Sequence, residues 1–255
     1  MFVLSTDDGS AIRSASKVTV YHAFGDGDIR WRGKLYSVSG KQELSVSDTP
    51  VVPVTPSAPA GSGASGTKEP AVLPFTDVAK QDWFYGDVAY VYENGLMNGT
   101  SGSTFSPLEN LTRAQLTAVL YRMDGSPAVS GTCSFTDAKR GAYYADALVW
   151  AERNALVNGY GSGAFGVGDA ITREQLVTIL YRYAAYKGID VSARADLSGY
   201  RDAEKISGYA RDAFGWAVEA GLIRGSGDLL NPQGRTTRAE YAAIAARFHK
   251  TFIAK

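Results

Sequence analysis

From about residue 75 onward, apolar residues return every three or four positions in paired short runs, and the paired pattern comes round three times. The first run of each round is Phe84, Val88, Val91 and Gly95, then Tyr144, Leu148, Ala151 and Ala155, then Ala210, Phe214, Ala217 and Gly221. The second is Leu116, Val119, Leu120 and Met123, then Leu176, Ile179, Leu180 and Tyr183, then Tyr241, Ile244, Ala245 and Phe248. This spacing puts each run on one helix face, so each round predicts a helix, a loop and a second helix. The first helix ends in small residues, which permits close approach of its neighbours. A single such hairpin cannot bury its apolar face, whereas three packed about a common axis can. Before residue 75 the pattern changes. Lys17–Tyr21 and Lys34–Val38 alternate polar and apolar residues, as half-buried strands do, with Gly25-Asp26-Gly27-Asp28 as the turn between them.

Fixed anchors define the repeat. Phe75-Thr76-Asp77 recurs as Phe135-Thr136-Asp137 and Tyr200-Arg201-Asp202, and an Arg stands 36 positions after the Asp each time, as Arg113, Arg173 and Arg238. The third copy carries one extra residue before Tyr209 and one fewer after Gly225, both in loops. The expected organisation is a β-rich segment over 1–48, either a small domain or the remnant of a larger upstream one, and a linker over 49–74. Copies follow at 75–134, 135–199 and 200–255. The linker holds Pro50, Pro53, Pro56, Pro59, Pro70 and Pro74 around a Gly/Ser run, a composition that spaces two bodies apart.

Composition narrows the chemistry. The 26 Lys and Arg balance 26 Asp and Glu, so the basic excess usual in nucleic-acid binders is missing. One cysteine, Cys133, and two distant histidines, His22 and His249, argue against a disulfide framework, a zinc site or a Ser-His-Asp arrangement. No apolar stretch reaches the roughly 18 residues of a membrane span. The apolar opening Phe2-Val3-Leu4 is too short for a signal-peptide core, so the chain reads as the tail or a fragment of a longer protein. The Asp26-x-Asp28 pair lacks the twelfth-position Glu of a calcium loop. Gly61–Gly66 and Gly161–Gly166 match a dinucleotide fingerprint in spacing, but neither follows a predicted strand. No cofactor is expected.

The second helices open on Thr112-Arg113-Ala114-Gln115, Thr172-Arg173-Glu174-Gln175 and Thr237-Arg238-Ala239-Glu240. Thr112 with Gln115, Thr172 with Gln175 and Thr237 with Glu240 fit capping boxes, which gives them a structural role. The Arg does not follow from this, because a cation in the first turn opposes the helix dipole. Two partners would compensate: a protein carboxylate such as Asp77, Asp137 or Asp202, or an anionic ligand at the helix start. The first helix carries aromatics seven apart: Trp83 and Tyr90, Tyr143 and Trp150, Tyr209 and Trp216. Such a stripe is either core or a platform for sugar rings. With Gly99, Gly159 and Gly225 in the following loops, the unit could hold an acidic glycan.

The Phe-Thr-Asp opening, the Asn-Gly turn, Thr104-Phe105-Ser106-Pro107 and the Thr-Arg-Ala-Glu-type helix start together resemble the S-layer homology domain family, over about residues 75–250. Only Thr237–Glu240 has the full tetrad; copies one and two end it in Gln115 and Gln175, and copy three has Leu230 in place of a Phe. The resemblance implies a mainly α, pseudo-threefold, three-pronged domain with no catalytic residues. Its inter-copy grooves would bind secondary cell-wall polysaccharide through a pyruvate ketal, holding a secreted protein at the bacterial surface as a monomeric module. It assigns anion contacts to Arg113, Arg173 and Arg238 and stacking to Trp83, Tyr143, Tyr209, Trp150 and Trp216. Competing readings are a surface-lattice subunit and an enzyme whose catalytic domain lies upstream.

Overall fold

The computed structural model describes residues 73–254 with side chains and, by backbone only, four strands within residues 17–45. The linker expected over 49–74 lies, except for its last two residues, outside the described residues. The chain divides into two units, Met1–Lys68 and Glu69–Lys255. In the first, β1 (Lys17–Tyr21) pairs antiparallel with β4 (Lys41–Ser45), and β2 (Gly27–Trp31) pairs antiparallel with β3 (Lys34–Val38). Gly27 and Asp28, expected in a turn, begin β2.

The second unit is helical. Each copy contributes a short helix and a longer one: α1 (Tyr85–Glu93) and α2 (Arg113–Met123), α3 (Ala145–Arg153) and α4 (Arg173–Tyr186), α5 (Arg211–Glu219) and α6 (Arg238–Phe248). The principal helix contacts join copies. Helix α2 packs on α3, α4 on α5, and α6 returns to α1. The expected hairpin is thus exchanged between neighbours, and the last copy closes on the first. One continuous apolar core results, with Leu116, Leu120, Leu176, Leu180, Tyr183, Tyr241 and Phe248 fully covered. A copy alone would leave both helices without their main partners.

A ring of backbone hydrogen bonds ties the three second-helix starts together. Leu111 N donates to Thr236 O (2.8 Å), Thr236 N to Ile171 O (3.3 Å) and Ile171 N to Leu111 O (2.9 Å). The next residues serve the helix ends. Arg113 N donates to Asp169 O (3.0 Å), Arg173 N to Gly234 O (2.9 Å) and Arg238 N to Glu109 O (2.9 Å). The first helical amide, which no intrahelical carbonyl can reach, is satisfied each time by the neighbouring copy. Thr112, Thr172 and Thr237 cap the same helices, and both halves of the capping box are formed in all three.

The first helices begin later than the aromatic spacing implies. Trp83 lies in the turn before α1, so the seven-residue interval from Trp83 to Tyr90 is not a helical interval and does not fix a shared face. These helices end in a left-handed residue, Gly95 at φ 67°, Ala155 at φ 54° and Gly221 at φ 68°. Positions read as the small end of a helical face are therefore C-terminal stops.

Candidate ligand-binding grooves

The repeated Arg side chain reaches into the adjacent copy. Arg113 Nε donates to Phe165 O (2.9 Å) and its Nη2 to Asn158 O (2.9 Å), while the guanidinium lies over the Phe165 ring at 4.4 Å and the Tyr160 ring at 5.0 Å. Arg238 repeats this on copy one, with Nε to Phe105 O (2.8 Å), Nη2 to Asn98 O (2.9 Å) and the Phe105 ring at 4.7 Å. Arg173 donates through Nε to Leu230 O (2.9 Å), and Leu230 offers no ring.

The repeated Asp grips the same loops from within its own copy. Asp77 accepts from Phe105 N (2.8 Å) and Ser106 N (2.7 Å), and Asp202 from Leu230 N (2.8 Å) and Asn231 N (2.7 Å). Asp137 accepts from Phe165 N (2.6 Å), Gly166 N (2.8 Å) and Val167 N (2.9 Å). Burial would raise the Asp137 pKa, but these three amides override it and hold the carboxyl below its ordinary value. Phe105, Phe165 and Leu230 thus each give their N–H to the Asp of their own copy and their C=O to the Arg of the preceding one. The repeated Asp is not the direct partner of the Arg; backbone carbonyls of the next copy are. Burial pulls all three guanidinium pKa values down, opposed among the carboxylates first by Asp169 for Arg113, Glu240 for Arg173 and Glu109 for Arg238, with Asp137, Asp202 and Asp77 adding less.

Two grooves open beside these joints. Groove I, about 420 Å³, is walled by the Met97–Thr100 loop and by Gln115, Ala118, Val119 and Arg122 of α2. Tyr143 from copy two and Arg238 from copy three complete it. Groove II, about 290 Å³, repeats the plan with Asn158, Gly159, Tyr160, Gln175, Thr178, Ile179, Arg182, Tyr209 and Arg113. Each groove draws on all three copies, which explains why no contiguous sequence motif encodes it. Tyr143 and Tyr209 keep more than half of their surface exposed, as does Trp83 at the equivalent position of the third joint, where Arg173 lies.

The expected stacking residues divide. Trp150 and Trp216 are buried, at 3% and 2% exposure, and present no ring face to solvent. Trp150 donates through Nε1 to Asp124 Oδ2 (3.1 Å) and packs among Tyr121, Tyr183 and Tyr186, while Trp216 packs on Tyr181 and Phe252. Both are core, because they lie within helices whose faces are covered by α2 and α4. Gly99 and Gly159 line the grooves and permit a close approach. A Cβ on Gly99 would collide with Thr104 O and meet the Phe75 ring at 2.6 Å. On Gly159 it would meet Ala164 O at 2.8 Å and Phe135 at 2.9 Å, and on Gly225 it would meet Leu229 O at 2.7 Å.

A second arginine per copy was missed. Arg122, Arg182 and Arg247 follow the first Arg by nine positions in every copy, a spacing visible once the repeats are aligned. Arg122 donates through Nη1 to Leu96 O (3.1 Å) and Arg182 to Leu156 O (3.5 Å), one hydrogen bond each among the described residues. Both stand in the groove walls. A guanidinium beside an exposed tyrosine ring suits a planar anion carried on a sugar. Among the described residues no cluster of His, Cys, Asp and Glu could hold a metal ion, and no helix is long and apolar enough to cross a membrane.

The S-layer homology domain family matches residues 74–117, 134–177 and 199–242. An endoglucanase of Bacillus sp. (strain KSM-635) is 32% identical over 187 residues, covering 73% of this chain and 20% of the endoglucanase. The surface-layer 125 kDa protein of Lysinibacillus sphaericus is 25% identical over 199 residues, 74% of this chain and 16% of that protein. A cellulosome-anchoring protein of Acetivibrio thermocellus is 26% identical over 162 residues, 59% of this chain and 34% of that protein. The chain therefore spans a fifth or less of the first two relatives and about a third of the last.

Proposed function

Since the chain belongs to the S-layer homology family, with three of its domains in tandem, we propose that it holds a secreted protein on a bacterial cell wall without covalent attachment. The ligand is an acidic secondary cell-wall polysaccharide, with a pyruvate ketal supplying the carboxylate. The module acts as a monomer, outside the cell, and performs no catalysis itself. The observation that carries this reading is the repetition of one groove plan, an exposed tyrosine opposite an arginine over a glycine-bearing loop, at two inter-copy joints. The apolar face of a sugar ring fits the tyrosine, and the ketal carboxylate fits the guanidinium. Two grooves on one rigid ring also allow multivalent attachment to a repeating polymer, which strengthens retention beyond either groove alone. The surface-layer relative favours an extension of the same reading, in which the module fixes a lattice-forming protein to the wall.

Sedimentation with wall sacculi tests it. Full chain is expected to pellet with sacculi bearing a pyruvylated polysaccharide and to stay in solution once mild acid has removed the ketals. Pelleting that ignores the ketals contradicts the assigned anion, and no pelleting on either contradicts wall anchoring.

A further inference from the structure

Behind the Tyr209 wall of groove II lies a buried carboxylate with no counterpart at groove I, where the Tyr143 hydroxyl meets the neutral Thr112 side chain instead. Glu174, 4% exposed, occupies the second position of α4, where copies one and three have Ala114 and Ala239. A carboxylate there is favoured by the helix dipole. Its reach is lateral, into copy three. Oε2 accepts from Ser207 N (3.1 Å), and Oε1 accepts from Ser207 Oγ (3.0 Å) and from the Tyr209 hydroxyl (2.9 Å). Tyr209 is the aromatic wall of groove II and is 57% exposed. An exposed tyrosine ordinarily samples several rotamers and loses that freedom when a ligand stacks on it. Here the hydroxyl is moored from beneath the groove, so the ring is fixed before anything binds. Burial and the Glu174 bond together push the Tyr209 pKa up to about 12, consistent with a hydroxyl that keeps its proton and donates it.

We propose that Glu174 is a positioning residue for groove II. By mooring Tyr209 it makes groove II the tighter of the two grooves for an acidic sugar. The inference rests on the wall-binding reading above and deepens it, giving the two grooves different affinities from one substitution at the second helical position. It accounts for a buried acid on the domain's interior that neither the capping box nor the inter-copy ring uses.

Amide NMR on the full chain separates the grooves, because Gly99 lies in groove I and Gly159 in groove II. The ligand to titrate is a methyl hexoside carrying a 4,6-pyruvate ketal. The Gly159 signal is expected to saturate at about three- to tenfold lower concentration than the Gly99 signal, the range for one side chain ordered in advance. Tyr209→Phe, which keeps the ring and removes the mooring, should bring Gly159 to the Gly99 midpoint and leave Gly99 unmoved. Glu174→Ala should do the same, and the double variant should be no weaker than either single one. Coincident curves in the parent, an unmoved Gly159 curve in Tyr209→Phe, or additive losses in the double variant would overturn the proposal. Tyr209→Phe keeps the test valid if Glu174→Ala, which strands Ser207 N, fails to fold. If neither glycine shifts with the ketal sugar, the wall-binding reading itself fails, and this inference with it.

Discussion

At the scale of single residues, most repeated positions have a local physical reason, and the exceptions are informative. Ala155 occupies a left-handed position at φ 54° where the other copies place Gly95 and Gly221. A Cβ in that conformation costs roughly 1–2 kcal/mol. Ala155→Gly is therefore expected to stabilise the protein by about 1 kcal/mol, after allowing for the looser unfolded chain. Urea midpoints measure it, and a variant no more stable than the parent would show that the strain is already relieved. Asp137 gives a pH dependence. Its folded pKa lies below the ordinary value, so its contribution is present above the unfolded pKa of about 3.9 and is lost as pH falls through the folded value. Asp137→Asn, which turns one acceptor oxygen into a donor facing three amides, should lower the melting temperature at pH 7. The gap to the parent should narrow below about pH 4. A gap that stays constant from pH 7 to pH 3 would remove the carboxylate from the account.

At the scale of elements, the second-helix start unites three devices: the Thr cap, the amide given to the neighbouring loop, and the Arg side chain given to the same loop. The first-turn cation that opposes the dipole is offset by carbonyls of the next copy and by the Phe105 or Phe165 ring. Arg113→Ala should strand Phe165 O and Asn158 O and destabilise the domain by about 2–4 kcal/mol, read by thermal or urea unfolding. Unchanged stability would return this Arg to a purely ligand-binding role. The helices themselves were legible from their 3.6-residue periodicity, and the caps from Thr-x-x-Gln and Thr-x-x-Glu. The role of the Arg was not legible, because its partners are backbone carbonyls 52 and 45 residues away in sequence for Arg113, and 133 and 140 away for Arg238. Carbonyls carry no sequence signal. Trp150 and Trp216 were misread for a related reason. Trp83 and Tyr143 lie in turns before their helices and Tyr209 in a short 3-10 segment before α5, so the seven-residue interval does not place each pair on one α-helical face.

At the scale of the whole molecule, three copies close into a ring by exchanging helices, and the grooves are products of that closure. Gly99, Tyr143 and Arg238 meet in groove I although they come from three different copies. Three equal repeats pointed to a shared core, but equal repeats do not reveal which copy completes which groove. The ring also separates two sets of arginines. Arg113 and Arg238 are buried and each give two hydrogen bonds to carbonyls of the next copy, whereas Arg122 and Arg182 stand in the groove walls with one hydrogen bond each, to Leu96 O and Leu156 O, among the described residues. We therefore propose that Arg122 and Arg182 carry most of the ligand recognition, while Arg113 and Arg238, which also line the grooves, chiefly hold the joints between copies. The most direct test is calorimetric titration of soluble pyruvylated wall polysaccharide into the Arg122→Ala/Arg182→Ala double variant. The account predicts that affinity falls by about 1.5–3 kcal/mol per groove, the range for a charge-assisted hydrogen bond, while folding stability changes by about 1 kcal/mol or less per site. A folded double variant that binds the polymer as tightly as the parent would contradict it.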